Sequence, residues 1–250
     1  MNEDLAFLKN VLYSAYQNFK DEIYTVSDKG AFDLVTTVDQ KIERFVWEQI
    51  QKHRPEDHLH GEEFSPTEPL CGRTWILDPI DGTFNFASKS QHFGLQGALW
   101  DNGTLKLSVI YLPLIGELYE AERGEGAFCN TKRIRVSDRK PKDAIVSFGD
   151  FPHARPIDAK HQKDMMERAF SSIARYRMFG AASVDFAMLA SGKTGGVVLF
   201  TKNKWDIAPG LLLSSEAGAL ICDEHGDPYS FSSDAIVAVN TKEMKEVLCQ

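Results

Sequence analysis

The stretch Trp75-Ile76-Leu77-Asp78-Pro79-Ile80-Asp81-Gly82-Thr83-Phe84-Asn85-Phe86 constrains this chain more than any other. An apolar run ends in two aspartates three residues apart, with a proline between them and a Gly-Thr pair behind them. The pattern predicts a buried strand over 75–77 that delivers Asp78 to its carboxyl end, and a turn at Pro79, whose ring fixes φ. Asp81 then returns beside Asp78. Two carboxylates held that close repel unless a cation lies between them, and hard oxygen ligands suit Mg²⁺, Ca²⁺ or Mn²⁺. The Ile80 carbonyl, freed by the turn, is a further candidate ligand. Gly82 and Thr83 would offer backbone N–H groups to an anion such as phosphate. Asp and Gly are also ordinary turn formers, so these residues alone equally suit a solvated acidic turn.

A chain of 250 residues is long enough for one large domain or two intimately packed halves. With a net charge of −8 and no basic run, nucleic acid is not an expected partner. No apolar stretch approaches the ~20 residues needed to cross a bilayer. The opening residues are acidic where a signal peptide would be basic, so the cytoplasm is the expected location. Cys71, Cys129, Cys222 and Cys249 lack C-x-x-C spacing and histidines at ligand spacing, and are expected to be reduced thiols.

Leu5, Leu8, Leu12, Ala15 and Phe19 mark one face of an opening helix. Thr37 and Gln40 have capping-box spacing, so a second helix is expected to start there and bury Ile42, Phe45, Val46 and Ile50. Asp39 falls in its first turn, where an acid also simply favours the helix dipole. His53 to His60 reads as a polar surface connection leading to Gly61-Glu62-Glu63, and the loop 65–72 is expected to be able to fold back and bring a carboxylate to the aspartate turn. Strand patterns over 93–100 and 104–111 flank Asn102-Gly103, a hairpin signal. A further strand over 117–121 leads to the glycine-spaced 123–130, which is not a dinucleotide fingerprint because no helix follows it. Residues 1–136 therefore read as an antiparallel sheet with packed helices. From 137 to 250, strands over 144–148, 176–179 and 195–200 alternate with helices over 158–173 and 183–191, the signature of an α/β half. Asp206 precedes an apolar helix over 207–217 with Pro209 in its first turn, a position that suits an N-cap. The expected fold class is thus mixed α+β and α/β, two halves in one compact unit.

Asp39, Glu62, Asp78, Asp81 and Asp206 all fall where loops and helix starts would meet strand ends. Five motifs stand in order: D-L-V-T-x-x-D (33–39), G-E-E (61–63), W-I-x-D-P-I-D-G-T-x-N-F (75–86), G-x-G-A-F-C-N (124–130) and W-D-I-A (205–208). Together they span nearly the whole chain, which resembles the inositol monophosphatase family of Mg²⁺-dependent, lithium-sensitive sugar phosphatases. The resemblance implies a layered αβαβα sandwich of the inositol monophosphatase and fructose-1,6-bisphosphatase type. It implies a phosphate monoester hydrolase in which metal-activated water attacks phosphorus, as a homodimer, on small phosphate esters and without a membrane partner. Two or three Mg²⁺ are implied per site, with Mn²⁺ as a substitute and Ca²⁺ and Li⁺ as inhibitors. Carried across residue by residue, Glu62, Asp78 and the Ile80 carbonyl would hold one ion, and Asp78, Asp81 and Asp206 a second. A third, weaker ion would share Glu62. Asp39 and Thr83 match the pair that orients and deprotonates the water, with Glu62 completing the catalytic set. Asp81, Gly82, Thr83, Gly180, Ala181, Ala182 and Asp206 would meet substrate.

The leaving group is less determined, since the family includes enzymes for inositol phosphates, fructose bisphosphate, NADP and phosphoadenosine phosphates. Ala181 stands where the inositol-selective branch usually has threonine. Leu199 or Phe200 stands where that branch has a glutamate for ring hydroxyls, and neither side chain accepts a hydrogen bond. Lys202 and Lys204 suit a solvated surface. Taken with Leu199 and Phe200, they also lead us to expect a substrate with a second anionic group or an aromatic ring, such as NADP. The rival from another class is a non-catalytic, metal-dependent binding protein, which nothing supports while every acid of the motif is retained.

Overall fold

The protein is described by a computed structural model over residues 2–30, 33–64 and 69–249. Helix α1 (Glu3–Phe19) starts where the Asn2 side chain accepts from the Asp4 N–H, and buries Leu5, Leu8, Val11, Leu12 and Ala15. An antiparallel pair, β1 (Val26–Gly30) and β2 (Asp33–Thr36), leads into α2 (Thr37–His53). Seven strands then lie side by side in chain order: β3 (His58–Gly61), β4 (Arg73–Asp81), β5 (Gly94–Asp101), β6 (Thr104–Leu112), β7 (Glu117–Glu122), β8 (Gly126–Cys129) and β9 (Lys132–Ile134). Strands β3 and β4 are parallel and the other neighbours antiparallel. A short helix, α3 (Thr83–Ala87), separates β4 from β5.

The second half builds a five-stranded sheet of order β11-β10-β12-β14-β13. Its elements run β10 (Ile145–Phe148), α4 (Pro156–Ala169), β11 (Arg175–Arg177), α5 (Ala182–Ala190), β12 (Gly196–Leu199), α6 (Lys204–Glu216), β13 (Leu220–Cys222), β14 (Ile236–Val239) and α7 (Lys242–Leu248). Strand β10 is parallel to β11 and β12, while β14 is antiparallel to both its neighbours.

Three apolar clusters set the layers. Leu8, Leu12, Ile42 and Ile50 of α1 and α2 pack with Trp75, Leu77 and Leu95 on one face of the larger sheet. Ile76, Ala98 and Ile110 look the other way, onto Phe186 and Leu189 of α5 and Leu212 and Leu213 of α6. Val198 and Val237 of the smaller sheet pack on Met165 of α4 and Met244 of α7. The order is therefore helices, sheet, helices, sheet, helices, the αβαβα sandwich expected. It also explains why Trp75 to Leu77 reads as an unbroken apolar run: with both sheet faces covered, all three side chains are buried. Full burial of each such side chain stabilises the fold by roughly 1.5–3 kcal/mol.

Several local expectations are corrected. The capping box of α2 is Thr36 with Asp39, not Thr37 with Gln40, because Thr36 is the last extended residue and its hydroxyl accepts from the Val38 and Asp39 N–H groups. The chain does not turn at Pro79. Strand β4 continues to Asp81 through a register shift against β5, and the change of direction comes at Gly82, with φ of 86°. Helix α6 begins at Lys204 after Asn203, so Asp206 sits in its first turn rather than at its N-cap, and Pro209 lies inside the helix, where one intrahelical bond is lost. The supposed surface connection 53–60 ends in strand β3, with Leu59 and His60 buried against the sheet. Residues 65–68 of the loop expected to fold back lie outside the described residues. No helix among the described residues is long and apolar enough to cross a membrane.

Candidate metal centre and substrate cavity

Side chains three residues apart on a regular strand point to opposite faces. The shift between Asp78 and Asp81 cancels that alternation and brings both carboxylates to one side. The first turn of α6 adds Asp206 from the other half, and one carboxylate oxygen from each of Asp78, Asp81 and Asp206 lies within 4.8 Å of the other two. Asp78 is 1% exposed and Asp81 7%. Asp81 accepts from the Ala182 N–H at 3.1 Å and the Ser183 N–H at 2.6 Å, so the start of α5 fixes its carboxylate. The Thr201 hydroxyl donates to Asp206 Oδ2 at 2.9 Å.

Burial pushes the Asp78 carboxyl well above the usual carboxylate range, and Glu62, Asp81 and Asp206 push it further. Burial raises Asp81 to about 6 against hydrogen bonds from Ser183 and Ala182. Glu62 is raised to about 8 by burial, with Lys29 opposing and Asp206 reinforcing. Its carboxylate lies outside the compact triad and takes a bond from Lys29 Nζ at 2.9 Å, while the same ammonium pairs with Glu63.

These residues fit a hard divalent cation. Asp78 Oδ1 is buried and has no hydrogen-bond partner, and leaving a buried charged acceptor unpaired costs more than the ~1–3 kcal/mol of a neutral group. The donors are all oxygen, as Mg²⁺, Ca²⁺ and Mn²⁺ require. The Ile80 carbonyl lies 3.1 Å from the Thr83 hydroxyl, whose single proton has Asp39 Oδ1 as its alternative acceptor, and at least one lone pair of the carbonyl stays available.

Asp39, in the first turn of α2, is fully buried. The Thr36 N–H donates to its Oδ2 at 3.0 Å and the Thr36 hydroxyl donates to the same oxygen. That leaves Oδ1 for the Thr83 hydroxyl, at 3.2 Å. Burial raises the Asp39 carboxyl above its ordinary range, opposed by the bonds from Thr36 and Thr83. Gly82 needs its glycine twice over: its φ is positive, and a Cβ there would fall 2.9 Å from the Ala181 Cβ. Asn85 Nδ2 reaches the carbonyls of His92 and Phe179, each at 2.7 Å, and of Gly180 at 3.2 Å, which binds the 179–181 loop to the aspartate turn.

A cavity of about 190 Å³ adjoins the triad, bounded by Asp81, Gly180, Ala181, Ala182, Leu199, Phe200 and Asp206 among others. The sequence reading placed these residues near one another, and the fold brings them together. Two roles narrow. The Ala182 N–H is engaged by Asp81, and Lys202 turns to Asp234 at 2.5 Å instead of the cavity. Thr36, Asn85, Asp150, Asp185 and Thr201 were not anticipated. For Asp150 a signal existed: it follows a strand with parallel neighbours, whose carboxyl end is where α/β sheets place ligands.

Comparison with known proteins agrees with this geometry. The inositol monophosphatase family profile matches residues 3–250. An inositol-1-monophosphatase of Rhizobium meliloti (strain 1021) is 37% identical over 230 residues, 89% of this chain and 85% of the relative. The crystal structure of extragenic suppressor protein suhB from Bartonella henselae superposes with a TM-score of 0.88 at 30% identity, covering 99% of this chain and 97% of the other. An inositol monophosphatase/NADP phosphatase solved with Mg²⁺ and phosphate gives a TM-score of 0.82 at 28% identity, over 97% and 91% of the two chains. With sequence likeness running almost from end to end and the same layered fold beneath it, the chain belongs to the inositol monophosphatase family.

Proposed function

We infer that the protein is a phosphate monoester hydrolase that works with a divalent cation, Mg²⁺ in the first instance. Asp78, Asp81 and Asp206 would hold it, with Glu62 and the Ile80 carbonyl as further ligands. The observation that carries this reading is the convergence of three carboxylates from both halves of the chain, one of them buried with an unpartnered oxygen. Bound there, the cation supplies Lewis-acid polarisation of the phosphate and positive charge for the departing oxygen.

The chain's own residues do the remaining work. A hydroxyl carries one proton, so when Thr83 Oγ1 donates to Asp39 Oδ1 its lone pairs are free to take a proton from the attacking water. The Thr36 bonds hold Asp39 in the rotamer that keeps Oδ1 available. Burial raises the affinity of Asp39 for the proton it receives. The N–H groups of Gly82 and Thr83 are assigned to the phosphate, and Gly180 and Ala181 to the leaving group. Uncatalysed hydrolysis of such esters is among the slowest reactions known, so positioning and charge stabilisation together must lower a large barrier.

The test is release of inorganic phosphate from a panel of phosphate monoesters with and without Mg²⁺. Hydrolysis should require the ion. Asp78→Asn should reduce it by more than the ~10–100-fold typical of losing an outer-shell partner, because a ligand is removed. Unchanged Mg²⁺-dependent turnover in that variant would overturn the site assignment.

A further inference from the structure

Beyond the triad, the cavity carries two more carboxylates that the hydrolytic step does not use. Asp150 and Asp185 line it together with Asp81 and Asp206, and Leu199 and Phe200 form its apolar wall. Among the described residues, no lysine, arginine or histidine borders it. Asp185, in the first turn of α5, is 0% exposed, and neither of its carboxylate oxygens has a hydrogen-bond partner. Asp150 is exposed and stands at the carboxyl end of β10, its Oδ2 3.6 Å from where a Cβ on Gly180 would lie. Of the basic side chains close by in sequence, Lys202 pairs with Asp234 at 2.5 Å and Arg155 with Asp158 at 2.6 Å.

A divalent cation carries two charges against the three carboxylates of Asp78, Asp81 and Asp206 and has none to spare for Asp150 or Asp185. A second phosphate on the substrate would meet like charge there. An uncharged polyol would hydrogen-bond to them without balancing their charge. A protonated amine would do both, and charge-assisted hydrogen bonds of that kind are the strong ones. The volume, about 190 Å³, falls below the ~300–1,000 Å³ of pockets for drug-sized ligands and suits a small leaving group. The geometry points to a small leaving alcohol that carries a protonated amine, an amino-sugar or amino-alcohol phosphate, with its ammonium on the exposed Asp150 beside the buried Asp185 and its carbons on Leu199 and Phe200. This assignment rests on the hydrolase reading above and differs from the expectation of a second anionic group or an aromatic ring drawn from Lys202, Lys204, Leu199 and Phe200.

Glucosamine 6-phosphate and glucose 6-phosphate share the ester and differ in one amine against one hydroxyl. At a pH where the amine is protonated, kcat/KM should favour the amino sugar by about tenfold or more, the lower range expected for one hydrogen bond to a charged group. The difference should lie in KM, and Asp150→Asn should bring the ratio close to one. Calorimetry of the two sugar phosphates on Asp39→Asn protein with Mg²⁺ should show the same preference in Kd without turnover. A ratio near one, a preference for fructose 1,6-bisphosphate, or a ratio unmoved by Asp150→Asn would overturn the assignment. Hydrolysis of p-nitrophenyl phosphate alongside any of those results leaves the hydrolase reading standing. Failure to hydrolyse any of these esters with Mg²⁺ overturns both.

Discussion

Replacing Gly210 by alanine sets two effects of opposite sign against each other. Gly210 lies inside α6, where alanine is favoured over glycine by about 1 kcal/mol of helix propensity. A Cβ at this position, however, would fall 1.9 Å from Phe186 Cδ2, 2.1 Å from Cγ and 2.7 Å from Cβ. Ordinary contact begins near 3.4 Å, so Phe186 must retreat by about 1.5 Å. The ring is fully buried among α5, α6 and the larger sheet, and the overlap reaches back to its own Cβ, so rotating the ring does not relieve it. Overpacking of this kind costs about 1–3 kcal/mol, and an overlap this deep belongs at the upper end. The net expectation is a loss of about 2 kcal/mol, about 3 lost to strain less about 1 gained in propensity. Equilibrium unfolding in urea reads it directly as a lowered midpoint. Because α5 holds Asp81 and α6 carries Asp206, Mg²⁺ affinity should fall in the same variant. A Gly210→Ala protein more stable than the parent, as propensity alone predicts, would refute this account of the helix contact.

Thr36→Ala removes the cap of α2 and one of the bonds that hold Asp39; urea unfolding should show a loss of about 1 kcal/mol, and turnover should fall while Mg²⁺ affinity measured by calorimetry stays close to the parent value. Protein stripped of divalent ions by chelation should lose stability as pH rises. Asp81 and Glu62 have folded-state pKa values, about 6 and about 8, above their ordinary ones, so the folded state binds more protons than the unfolded between about pH 4 and pH 8. The rise in Tm on adding Mg²⁺ should therefore be larger near pH 8 than near pH 5, because the ion replaces protons the carboxylates would otherwise keep. A Tm gain that does not grow with pH would count against these acids as ligands.

The layers were legible because periodicity and length decide them: the α1 face, the hairpin at Asn102-Gly103 and the alternation after 137 all appear where expected. Boundaries slipped where a side chain serves two purposes. Thr36 and Thr37 both suit a helix start, and only the backbone conformation chooses between them. Pro79 signalled a turn but stands in a strand irregularity, which no single-residue preference distinguishes. Asp39, Asp78, Asp81 and Asp206 were found because motif order places them. Asp185 was not, since an aspartate in the first turn of a helix is ordinary and its burial comes from packing across 100 residues of chain against the aspartate turn.

One amide group at Asn85 bonds carbonyls on both sides of the cleft, at His92 in the first half and at Phe179 and Gly180 in the second. The 179–181 loop, proposed to meet the leaving group, is thereby latched to the turn that presents Asp81, and the two travel as one piece. If the sheets breathe, the mouth of the cavity can widen at Leu199 and Phe200, but the spacing between the cleaved bond and the 179–181 loop is carried along unchanged. Tolerance for different alcohols would then come from the far wall, while the place of the phosphorus stays constant from one substrate to the next.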